Sequence, residues 1–231
     1  MPAFLGLPAE LWEALALTVQ LAFVVTLLLL GVSLPLAYGL SRSKRRGLVV
    51  LETLVSLPIV LPPTVIGFYL LMLFSPQRPL GAFWLEITGQ TLTFSFEGLV
   101  IGSVIYSLPY AVQPILGSFR AVHQDYIDAS LTMGATRFQT FWHVLLPLSL
   151  KGIGVGAILG FAHTMGEFGV VVMLGGNIPG QTKVASVALY DEVQKLNYDT
   201  ANLYALILLC ISFFMLLLIT LIQRRIESFD F

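Results

Sequence analysis

Apolar residues in this chain neither alternate nor form one stripe of a half-exposed helix; they run on over lengths that only a buried or lipid-facing element absorbs. Stretches without a charged side chain extend from Ala14 to Ser41, Thr53 to Gln77, Gly98 to Phe119 and Thr200 to Gln223. Each exceeds the roughly 20 residues with which a helix crosses about 30 Å of hydrocarbon. A fifth, Gly152 to about Gly176, is equally apolar apart from His163 and Glu167, and predicts a span with an expensive internal acid. The pattern therefore predicts an all-α integral membrane chain of one domain, residues 1–231. Its spans are about 14–41, 53–77, 98–119, 152–176 and 200–223, five in all, or six with a half-buried element near the N-terminus.

Between the third and fourth spans, over about residues 120–151, the pattern changes. In HQDYIDASLTM (His123 to Met133), Tyr126, Ile127, Leu131 and Met133 recur at helical spacing, and Asp125 is placed to cap the helix. Gly134 offers the left-handed backbone that ends helices, and Thr136 can cap a second run, RFQTFWHVLL, that stops at Pro147. The prediction is helix, glycine hinge, helix, with Phe138, Phe141 and Trp142 along one apolar face. Such aromatics serve either as anchors at a membrane border or as side chains that fill the groove of a soluble partner.

Composition and charge add orientation. Of 231 residues 57% are hydrophobic and 11% charged, too few charges to cover a water-soluble domain. Nine of the twelve basic residues (Arg42, Lys44, Arg45, Arg46, Arg120, Arg137, Lys151, Arg224, Arg225) fall on one side, which the positive-inside rule assigns to the cytoplasm. The N-terminus is then outside and the C-terminus inside. The first stretch lacks a basic leader and a small-residue cleavage site, so we expect it to remain in the mature protein. Cys210, the only cysteine, lies inside the last span and is expected to pack there. The outer loops Ser75–Glu97 and Asn177–Asp199 are expected to bury no core of their own.

Prolines interrupt the spans at Pro35, at Pro58, Pro62 and Pro63 of SLPIVLPPTVIG, and at Pro109 and Pro114. A proline frees carbonyls and kinks the rod, which a membrane tolerates only against protein or a water-filled cavity. No G-x-x-x-x-G-K-[ST] phosphate loop occurs, so the chain is not expected to bind ATP itself, and no cofactor, metal or nucleic-acid site is expected. His123, His143 and His163 stand outside any metal-ligand or triad spacing. Glu167, in G-E-F-G, reads as a gate or helix lock, as a structural hydrogen bond, or least readily as a ligand, because a negative group on the route repels an anion. Small polar groups beside the broken helices, Ser56, Thr64 and Ser107, are the pathway candidates.

Asp128, Ala129, Ser130, then Gly134, then Val144, Leu146 and Pro147 resemble the cytoplasmic signature loop of bacterial ABC-importer permeases: E-A-A, three residues, Gly, nine residues, I-x-L-P. Every spacing agrees; Asp replaces Glu, Ser replaces Ala and Val replaces Ile. From about Pro35 onward, SLPIVLPPTVIGFYLL and GFAHTMGEFGVVVMLGGNIPGQT are similar to the permease subunits of molybdate importers, with sulfate and thiosulfate permeases as close relatives. The resemblance implies the type I ABC-importer permease fold in a bacterial inner membrane, with the hinged loop as a coupling helix. It also implies a homodimer on two ATPase subunits that hold ATP and Mg, and an oxyanion-binding protein outside. Molybdate is the expected cargo and tungstate a second one. Sulfate is the alternative within the family. An ion-coupled secondary transporter should show paired internal acids and repeat halves, and a membrane enzyme a clustered reactive site.

Overall fold

A computed structural model describes residues 9–42 and 46–227. Lys44 and Arg45 of the basic loop, and residues 1–8 near which the half-buried sixth element is expected, lie outside the described residues. Twelve helices follow in order: α1 Ala9–Arg42, α2 Arg46–Ser56, α3 Pro63–Phe74, α4 Pro79–Thr88, α5 Phe96–Ala121, α6 Gln124–Thr132, α7 Arg137–Thr140, α8 Leu146–Leu148, α9 Leu150–Met165, α10 Gly169–Gly175, α11 Ala185–Gln194 and α12 Tyr198–Glu227.

Helices α1, α5 and α12 are each long and apolar enough to cross a membrane unbroken, and two bent pairs raise the number to five if each pair is one span. The centre is made by α1, α5 and α9. Small residues let the rods approach closely, as membrane helices require: a Cβ on Gly156 would lie 2.8 Å from the Ala111 carbonyl oxygen, and one on Gly152 would lie 2.6 Å from that of Pro114. Leu21, Val25 and Leu29 of α1 join Leu99 and Ala111 of α5 and Val170 and Leu174 of α10 in the main core. Helix α12 keeps Leu209, Phe213, Phe214 and Leu216 exposed, as a rod facing lipid would.

The second stretch is not one rod. Leu57–Ile59 is a 3-10 turn, Pro62 is extended at ψ 132°, and the two halves meet at 109°. Pro62 and Pro63 have no N–H, so the carbonyls of Pro58 and Ile59 lose their i+4 donors. The fourth stretch also differs from one span over 152–176. Helix α9 starts at Leu150 after a 71° bend from the preceding segment and ends at Met165; Gly166 to Phe168 leave the helical path before α10. Two glycines in four residues lower the helix preference there, and packing of Gly169 against Pro63 replaces it. The two breaks abut: a Cβ on Gly169 would come within 2.7 Å of Pro63 Cβ and 3.2 Å of the Thr64 nitrogen.

The loops 75–97 and 177–199 are more structured than their turn signals suggest. Helix α11 packs Ala185 and Ala188 against Leu11, Ala14, Leu15 and Tyr204, and the Ala185 N–H donates to Thr18 Oγ1 at 2.7 Å. Before it, Asn177 Nδ2 donates to both carboxylate oxygens of Asp191, and Lys183 Nζ lies 2.6 Å from Oδ2. Burial would raise the Asp191 carboxyl, but the hydrogen bonds from Lys183 and Asn177 outweigh it and hold the group below its ordinary value.

Candidate functional site

The hinged loop forms from local signals. Helix α6 ends at Thr132, and Gly134 takes φ +89°, a backbone conformation costly for any side chain. Thr136 then caps α7 in a full capping box: its Oγ1 accepts from the Gln139 N–H, and Gln139 Oε1 accepts from the Thr136 N–H. The cap of α6 is His123; Asp125 stands one residue past the start of the helix and pairs with His123 Nδ1 instead of capping. Ser130 Oγ and Thr140 Oγ1, 3.0 Å apart, pin the two arms.

Ala129, Ser130, Gly134 and Val144 of the signature line a hollow of about 640 Å³ between the arms, beside Tyr126 and Met133. Asp128 sits on the outer face of α6 and accepts from Gln124 Nε2 at 3.0 Å. Gln124 Oε1 in turn accepts from Arg42 at the end of α1. Leu146 is half-buried and Pro147 exposed at the bend into α9. The aromatics separate: Phe138 is 72% and Trp142 50% exposed, whereas Phe141 turns inward between Tyr38 and Phe119, with ring centroids 5.1 and 6.1 Å away. The reason is the wider π turn from Phe141 to Leu145, which rotates Phe141 and Leu145 toward the core.

The pathway candidates fall in different places. Ser56 stands at the first break and accepts from Gln113 Nε2 of α5 at 2.7 Å. Thr64 is exposed at the start of α3. Ser107 is fully buried between α5 and α9, bonded to His163 Nδ1 at 2.9 Å and Thr164 Oγ1 at 3.1 Å, with no open face toward a route. Glu167 lies in the second break, 4% exposed, and the one side-chain group beside its carboxyl is the buried Ser103 hydroxyl. Its expected helical neighbour His163 is engaged elsewhere, by Ser107 and by stacking on Tyr110 at 3.8 Å. Its backbone carbonyl accepts from Ser186 Oγ, and its N–H donates to the Thr164 carbonyl.

Sequence reasoning missed the contacts that join the loop to the spans. Arg120 forms a bidentate pair with Glu52 of α2, at 3.0 and 2.7 Å. Gln113 and Ser56 repeat that connection two turns higher on α5. The residues are 68 and 57 positions apart, and nothing in either local segment marks its partner.

Residues 29–228 match the family described as "Binding-protein-dependent transport system inner membrane component". The chain is 44% identical over 189 residues to the molybdenum transport system permease protein ModB of Azotobacter vinelandii, covering 82% of this chain and 84% of that one. It is 33% identical over 183 residues to ModB of Escherichia coli K12, covering 79% and 80%. The sulfate transport system permease protein CysT of Escherichia coli K12 is 30% identical over 226 residues, covering 94% and 81%. Among solved structures, a bacterial ABC transporter that imports the acidic polysaccharide alginate shares the fold with a TM-score of 0.77 at 18% identity, over 96% of this chain and 82% of that one. An amino acid ABC transporter does so with a TM-score of 0.63 at 18% identity, over 94% of both chains.

Proposed function

This chain belongs to the family of binding-protein-dependent transport system inner membrane components, and from that premise we propose that it is the permease subunit of an ABC importer for molybdate. Tungstate, of the same shape and charge, is a second cargo. The molybdenum permeases match at 44% and 33% identity and the sulfate permease at 30%, which favours molybdate over sulfate. The energy for uphill import comes from ATP hydrolysed, with Mg, on two partner subunits beneath the membrane. An oxyanion-binding protein delivers the cargo from outside, where the N-terminus lies, and the C-terminus is cytoplasmic.

The observation that carries this reading is the hinged loop. Met133 and Tyr126, 88 and 61% exposed, line the hollow with the signature residues, and Phe138 and Trp142 are 72 and 50% exposed on the second arm, an apolar relief suited to a groove in a soluble partner. Two copies enclose the route. Val60 at the first break is 83% exposed beside carbonyls without helical donors, and such backbone is stable in a membrane only against protein or water. Glu167 acts as a gate or helix lock: a carboxyl at that burial with only a serine hydroxyl beside it is costly, and it gains a stronger partner when the breaks rearrange.

The test is reconstitution of the dimer with its ATPase. Binding protein loaded with molybdate or tungstate should stimulate hydrolysis and uptake, and sulfate-loaded protein should do so less. Gly134→Asp has space for its side chain but strains the hinge at φ +89°, and should separate hydrolysis from uptake or prevent docking of the ATPase. Wild-type coupling in that variant, or stimulation by sulfate alone, would refute the assignment.

A further inference from the structure

Ser107, the serine expected on the route, is sealed inside the chain, but the neighbouring stripe of the same helix is not. On α5, Tyr106, Tyr110 and Gln113 stand at i, i+4 and i+7, one stripe of a helix, and all three are partly exposed. They sit near the middle of a 26-residue helix, about 10 Å from first to last at 1.5 Å per residue. Tyrosine belongs at membrane borders, where its hydroxyl meets water. Here two phenols lie at mid-depth, and neither hydroxyl makes a hydrogen bond to another described residue. Lipid offers no partner for such groups, so this side of α5 faces water or protein.

The stripe is also held in place. His163 stacks on Tyr110 at 3.8 Å and 23°, lies 4.8 Å from Tyr106, and is itself fixed by Ser107 on Nδ1. Gln113 reaches across to Ser56 at the first break. No acidic or basic residue occurs on the stripe until Arg120, which Glu52 already neutralises with two hydrogen bonds.

We propose that Tyr106, Tyr110 and Gln113, the last held by Ser56, form the lane along which the oxyanion moves: a row of neutral hydrogen-bond donors at mid-membrane. This rests on the importer function above and names its site. Neutral donors suit a transported tetrahedral dianion. Fixed cations would hold it too tightly for release, and an acid would exclude it. Glu167 lies within electrostatic range of Tyr106 but is buried, 4% exposed, and does not line the lane.

Two experiments test the lane in the reconstituted complex. Gln113→Glu keeps the size of the side chain, removes the amide that donates to Ser56 Oγ, and adds one negative charge. Molybdate uptake should fall about tenfold or more through like-charge repulsion, while ATP hydrolysis stimulated by the loaded binding protein persists. Uptake at the wild-type rate overturns the lane. Second, in a Cys210→Ala background, Tyr106→Cys and Gln113→Cys should react during turnover with a membrane-impermeant anionic methanethiosulfonate, whereas Leu209→Cys on exposed α12 should not. Equal failure of all three to react overturns the proposal, including when Gln113→Glu does not assemble. Because labelling does not depend on which ion is carried, it separates the lane from the identity of the cargo. A wild-type complex that labels on the stripe but imports no molybdate refutes the cargo and not the lane.

Discussion

The contact between the two helix breaks makes a prediction in which two glycines of one motif respond with opposite sign. In G-E-F-G, a methyl group on Gly169 would sit 2.7 and 2.9 Å from the Cβ and Cγ of Pro63 and 3.2 Å from the Thr64 nitrogen. A proline ring cannot swing aside, so Gly169→Ala must push α10 off α3. Overpacking of this kind costs about 1–3 kcal/mol. At about 2–4 °C per kcal/mol for a chain of this size, the melting temperature should drop by about 2–12 °C, and uptake should fall because the breaks no longer seat against each other. Gly166 is different. Its methyl would meet only carbonyl oxygens of its own helix at 3.8 and 3.9 Å, and φ −92° suits any residue. Gly166→Ala should therefore stabilise the chain by about 0.4–1 kcal/mol, by restricting the unfolded state. Thermal unfolding of purified protein in detergent, read by loss of the monodisperse chromatographic peak, measures both. A Gly169→Ala variant as stable as wild type, or two variants shifted alike, would show that the breaks are not in register as described.

Other expectations follow from the same geometry. Glu167→Gln should keep or raise thermal stability, because it removes a buried carboxyl that only the Ser103 hydroxyl meets, while uptake falls; a loss of stability with normal uptake would make the group purely structural. The Glu52–Arg120 pair is 30 and 48% exposed, so a double-mutant cycle of Glu52→Gln and Arg120→Gln should give only about 0.2–1 kcal/mol of coupling in stability. The coupling of hydrolysis to uptake should suffer more, and the charge-swapped pair should recover it. Asp191 is held below its ordinary value in the folded chain, so the unfolded state binds more protons as pH approaches the carboxylate range. Its stabilisation is complete above that range and lost as pH falls through the folded value. Melting temperature against pH should flatten on the acid side in Asp191→Asn, and an unchanged profile would remove the latch.

The hinged loop was legible because its determinants are local. Gly134 at positive φ and the Thr136–Gln139 capping box are settled by residues within four positions of each other, where backbone geometry and a single hydrogen bond decide the outcome. The inward turn of Phe141 was not, since it depends on a π turn held by Tyr38 and Phe119 from distant helices.

The membrane-embedded, all-helical character of the chain was fixed by the amino-acid sequence alone, because the length of an uncharged run against the thickness of hydrocarbon is a property of one segment. What those helices do with each face was decided only by tertiary structure. Where nearly every side chain is apolar, hydrophobicity does not distinguish a face that meets lipid from one that meets another helix. Close approach at glycine and serine does, and it depends on partners far along the chain. Hence Ser107 is sealed while Tyr106 and Tyr110 stand open on the same helix, and the stretch from Gly152 to Gly176 breaks at Glu167, where Pro63 from another segment takes the space.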